Sequence, residues 1–86
     1  MKPKLATGVN LQQVGDEGLL LNVDNDELHQ LNATAYFIVE HCDGECTLDD
    51  IVQNVVECFE IDEETAKQDV AEIINQLGEA KLVELS

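Results

Sequence analysis

The side chains of this chain that could do chemistry are few: Cys42, Cys46 and Cys58, His29 and His41, and the carboxylate pairs Asp49/Asp50 and Glu63/Glu64. Cys42 and Cys46 have a zinc-finger spacing, and His29 and His41 could extend the donor set. No second pair follows at finger or ribbon distance. Cys42 also falls on an apolar helical stripe, where a thiol serves as a small hydrophobe. His29, on a short strand, reads as a packing or partner contact, so neither a metal nor another cofactor is expected. Adjacent carboxylates could act as acid and base if a pocket drove their pKa values apart. Both pairs stand where helices begin, and there capping and the helix dipole account for them. A carrier protein would need a serine at a helix N-terminus to bear its prosthetic arm, and Ser86 is the only serine. The chain therefore reads as non-catalytic.

Charge narrows the partners. Nineteen Asp and Glu face four Lys and no Arg, a formal net charge of −15. Nucleic-acid affinity rests on Lys and Arg neutralising phosphates, and anionic membranes attract basic segments, so both partners are excluded. A helical reading of residues 48–59 as a DNA-recognition helix fails because that stretch has no basic residue. The acids either solvate the surface or steer a basic partner toward it. No apolar run follows Met1 to suggest a signal peptide, and none reaches the roughly 20 residues of a membrane span. Three cysteines do not make a disulfide framework. A cytoplasmic protein with reduced thiols is expected. Eighty-six residues make one domain with a modest aliphatic core, 44% of the chain being apolar and Trp absent.

The elements that would position these residues follow from local pattern. Residues 9–14 form a first strand, residues 19–23 a second with Leu19, Leu21 and Val23 on one face, and residues 27–31 a short third. Polar turns at 15–18 and 24–26 suggest an antiparallel meander. Asn32 is an N-cap, opening a helix that runs to about Cys42 and buries Ala35, Ile38, Val39 and Cys42. Asp43 and Gly44 end it. Thr47 and Asp50 form a capping box for a second helix burying Ile51, Val52, Val55, Val56 and Phe59. Asp62 caps a third, whose apolar stripe is Ala66, Val70, Ile73, Ile74 and Leu77; an extended segment closes the chain at 81–85. The order is α+β and winged-helix-like: a three-stranded antiparallel sheet, then a three-helix bundle. So small a sheet has exposed edges.

The third helix has two different flanks. One carries Asp62, Thr65, Asp69, Glu72 and Gln76; the other carries Lys67, Ala71, Ile74, Gly78 and Lys81. The second holds two lysines and two residues small enough for a backbone to approach, as a groove for an extended, partly acidic peptide would need. A solvated face with incidental Ala and Gly is the plainer reading. If His29 and Leu31 face the core, Leu28 and Gln30 face away, and an edge strand here could pair with an incoming one.

Leu31, Asn32, Thr34 and Ala35, then Ile38, Cys42, Asp43, Gly44, Thr47 and Ile51, in this order and spacing, resemble the pyrroloquinoline-quinone biosynthesis protein D (PqqD) family. These proteins are the founding precursor-peptide recognition elements of ribosomal natural-product pathways. The resemblance runs from about Leu19 to Leu85. Residues 9–86 are expected to form one such peptide-recognition domain behind a flexible tail of residues 1–8. The resemblance further implies that a leader peptide adds as a strand beside residues 27–31 and is delivered to a modifying enzyme. That enzyme would be a radical S-adenosylmethionine enzyme, or a lasso-type protease or cyclase. Carried onto this chain, the contact residues would be Glu27, Leu28, His29, Gln30 and Leu31 with Lys67, Val70, Ala71, Ile74 and Gly78. An acidic adaptor docking on a basic enzyme is the alternative.

Overall fold

Eight elements follow one another in the computed structural model, which describes residues 2–24 and 26–85. They are β1 (Pro3–Leu5), β2 (Val9–Val14), β3 (Glu17–Asn22), β4 (Glu27–Leu31), α1 (Ala33–Glu40), α2 (Leu48–Phe59), α3 (Glu63–Glu79) and β5 (Val83–Leu85). Met1, Asn25 and Ser86, which fall in the expected tail, the second turn and the end of the chain, lie outside the described residues. The fold class is α+β: β2, β3 and β4 form an antiparallel sheet in that order, and three helices follow. Among the described residues no helix is long and apolar enough to cross a membrane.

The helices start where capping chemistry dictates. The Asn32 side chain accepts from the Ala35 N–H at 2.8 Å. Thr47 and Asp50 satisfy each other's backbone amides at 3.1 Å in both directions. Asp62 accepts from the Thr65 N–H and hydroxyl. Each cap answers amides that the first turn leaves without an intrahelical partner. α1 ends at Glu40, two residues earlier than the apolar spacing suggests. The His41 and Cys42 amides donate to Ile38 and Val39, a tightening of the last turn.

Residues 1–8, expected as a loose tail, are structured where described. β1 pairs antiparallel with β5, Pro3 opposite Leu85 and Leu5 opposite Val83. The Leu5 amide donates to Cys42, the Ala6 amide to Leu82, and the Gly44 amide to Pro3. Gly44 has φ +82° and packs against the Lys4 stem, so the bend after α1 needs a residue without a side chain. β1, paired with β5, thus braces the α1–α2 connection, and Pro3 is fully buried.

Pairing fixes which face of the sheet meets the helices. Leu11, Leu20 and His29 lie across from one another, as do Gln13, Gly18 and Leu31. Leu20 is completely buried with Ile38, Val39, Ile51, Val55, Val70 and Leu82. Leu19, Leu21 and Val23 do share a face, and alternation makes it the outward one, with Leu28 also on it. Gly18 belongs to β3 rather than to the preceding turn. A Cβ at Gly18 would run into the Tyr36 ring, so the strand can cross α1 only here without a side chain.

Candidate functional site

β4 is an edge: β3 covers one side of it, and among the described residues no strand covers the other. Val14 stands opposite Glu17 across a two-residue turn, which sets the alternation of hydrogen-bonded pairs through the meander. That alternation turns Glu27, His29 and Leu31 toward β3 and leaves the backbone N–H and C=O of Leu28 and Gln30 at the open edge. Such groups are a template for another chain. The Leu28 side chain, on the outer face, is 64% exposed.

Beside this edge the surface is concave. A hollow of about 390 Å³ is lined by His29, Gln30, Leu31, Asn32, Ala35, Ile73, Gln76, Leu77 and Ala80. A second, of about 290 Å³, adjoins it through Asn32, Ile73 and Gln76 and adds Thr34, Asp69 and Glu72. Together they form a groove with β4 as one bank, α3 as the other and the start of α1 between. The walls of the larger part are apolar: Leu31, Ala35 and Leu77 are core residues that expose an edge here, and Ile73 is half-buried. Leu31 and Ala35 come to the groove because the Asn32 cap turns the chain from strand to helix between them. His29 faces the groove with its Nε2 3.3 Å from a Glu27 carboxylate oxygen.

The structure brings only part of the expected contact set together. His29, Gln30 and Leu31 line the groove, and Glu27 and Leu28 continue the edge. Lys67, Val70, Ala71, Ile74 and Gly78 line neither hollow. Val70 and Ile74 are buried. Lys67 pairs with Glu63 at 3.6 Å on the exposed helix surface, Ala71 is exposed, and Gly78 has open space around it. The groove instead takes the opposite flank, through Asp69, Glu72, Ile73, Gln76, Leu77 and Ala80. A helical wheel locates the buried stripe but not which of its borders adjoins β4. Ile73, an apolar residue on the acidic border of the stripe, was the one sequence signal for this side.

Several of the other candidate groups have structural partners. Cys42 is buried, donates its thiol to the Ile38 carbonyl at 3.3 Å, and burial pushes its pKa up to about 12. Cys46 is half-buried and its thiol is also pushed up, first by burial and then by Asp43. His41 Nδ1 meets the Phe37 carbonyl at 2.8 Å. Among the described residues no three His, Cys, Asp or Glu gather as metal ligands. Asp50 and Asp49 lie in the first turn of α2, and Glu63 and Glu64 in that of α3. The arrangement can do one thing well: receive an extended chain at the edge and its side chains in the groove.

The family model for coenzyme PQQ synthesis protein D (PqqD) matches residues 17–83. No curated protein sequence matches the chain. Among solved structures, TbiB1 in complex with the TbiA(beta) leader peptide is similar at TM-score 0.87 and 20% identity, covering 96% of each chain. Lasso peptide synthetase B1 complexed with its leader peptide is similar at 0.86 and 24%, covering 99% of this chain and 100% of that one. The PqqD truncation of Methylobacterium extorquens PqqCD, a stand-alone recognition element for ribosomally synthesized, post-translationally modified peptides, is similar at 0.79 and 21%. It is matched over 96% of this chain and 88% of its own. At these identities the likeness is one of fold.

Proposed function

Because the chain belongs to the PqqD family, we propose that it is a leader-peptide recognition module. It holds the leader segment of a ribosomally made precursor as an added strand on β4 and presents the remainder to a modifying enzyme. That enzyme belongs to the radical S-adenosylmethionine class or to the proteases and cyclases of lasso-peptide pathways. The observation that carries this reading is the open edge of β4 running along a groove whose larger hollow is mainly apolar. Main-chain bonds at Leu28 and Gln30 supply affinity, and the groove supplies selectivity. Three solved relatives of the same fold support it, two of them with leader peptides bound. The module contributes position rather than a reacting group, so it turns nothing over alone.

The net charge of −15 favours a second reading, an acidic adaptor docked on a basic enzyme. Exposed charges are screened within about 10 Å at 0.1 M salt, so the two readings part on salt. The test is calorimetric titration of the chain with the leader segment of a precursor encoded beside it, at low and high salt. Saturable one-to-one binding that survives high salt is expected. Absence of binding at low salt would contradict the proposal, and salt-abolished binding would favour the adaptor.

A further inference from the structure

We propose that the peptide accepted by this groove carries a basic side chain two residues before the apolar side chain that fills the larger hollow. The inference rests on the peptide-recognition reading and names the sequence that it would read.

The two hollows differ in character. The larger offers Leu31, Ala35, Ile73 and Leu77 to an apolar side chain. The smaller offers the carboxylates of Asp69 and Glu72, with Gln76, Asn32 and Thr34, and no cation among its lining residues. The Asn32 side-chain oxygen is engaged in capping α1. Lys67 is held at Glu63, and neither lines the hollow. A Lys or Arg entering there would lay its methylenes on Ile73 and its charge between the two carboxylates. An acidic side chain would meet like charge in a half-enclosed space. What sets Asp69 and Glu72 apart from the chain's other acids is that they wall the same groove whose rim is the strand edge.

Spacing and direction follow from the helix and strand. Along α3, the residues lining the smaller hollow (Asp69, Ile73) precede those lining the larger (Ile73, Leu77) by one turn. One turn advances roughly 5–6 Å, which is about two residues of extended chain. Two residues is also the repeat at which strand side chains return to one face. The larger hollow lies beside His29, Gln30 and Leu31, the smaller past the end of β4 at Asn32 and Thr34. The sheet is antiparallel throughout. A peptide continuing that pattern runs from Asn32 toward Glu27, so its basic residue comes first.

The test is selection of a randomised twelve-residue display library on the full chain, beside Asp69→Asn/Glu72→Gln and a control of equal charge change elsewhere, Glu45→Gln/Glu57→Gln. Amide spectra verify that each variant folds. The expected result is an enriched basic–x–apolar motif with the chain and the control, reduced to the apolar position alone with D69N/E72Q. Resynthesised winners should lose ten-fold or more in affinity when Lys becomes Glu. An apolar motif without the basic position would overturn the inference and leave strand addition standing. Basic residues enriched at no fixed position would also overturn it, since net charge alone would then attract them. No enrichment of any peptide would overturn both the inference and the recognition reading.

Discussion

At Cys42 the fold protects a thiol from its own ionisation. Burial, then the neighbouring Asp43 charge, raises its pKa to about 12, while an unfolded cysteine ionises near 8.5. A raised pKa favours the neutral form, so this contribution to stability is complete below about pH 8.5 and is lost as pH climbs toward 12. We expect alkaline melting in that window, and removal of much of it in Cys42→Ala, read by chemical denaturation against pH. Exposed Cys58 should be alkylated at neutral pH while Cys42 reacts only on unfolding; equal rates by mass spectrometry would refute the burial argument. The acid side has the opposite sign. Backbone amides of Glu45 and Cys46 lower the pKa of Asp43, and Thr65 lowers that of Asp62. Their contributions are present above the ordinary aspartate value near 4 and fade as pH falls through the lowered ones. Gly18→Ala should destabilise the chain through Tyr36, and it should cost less when the ring is already trimmed in Tyr36→Ala if that contact is its cause.

At the scale of elements, what could be read from sequence was what neighbours in sequence decide. Asn32, Thr47 and Asp62 cap their helices because a cap is written within four residues. Thr47→Ala should accordingly cost about 1 kcal/mol in denaturant melts. β1 was not legible, since Pro3 finds its partner at Leu85, at the far end of the chain. The face of β3 was ambiguous because Leu19, Leu20 and Leu21 satisfy either phase; the Gly18–Tyr36 contact and the Leu20 burial decide it. The open edge at Glu27–Leu31 was legible as a short third strand, but the helical bank of the groove was not. Helical phase marks the stripe of Val70, Ile74 and Leu77, and only the crossing of α3 past β4 selects the Ile73 border over the Ala71 border. The alternation through the meander makes one further expectation: peptide should slow amide exchange at Leu28 and Gln30 more than at Glu27 and His29, which β3 already protects. Uniform protection along β4, or none, would refute the assigned edge.

For the whole molecule, the charge of −15 sets conditions rather than fold. Self-repulsion opposes compaction, so added salt should raise the melting temperature. A fall would mean that ion pairs such as Lys67 with Glu63 outweigh the repulsion. The groove shares that acidity, which is why strand addition and charge attraction must be separated in one experiment. The most direct is an NMR titration of the labelled chain with the leader segment of a neighbouring precursor at high salt. Amide shifts concentrated on Leu28 to Asn32 and on Ile73, Gln76, Leu77 and Ala80 are expected, with the peptide becoming extended. Shifts scattered over exposed acids and erased by salt, or confined to the Lys67, Ala71 and Gly78 side of α3, would contradict it.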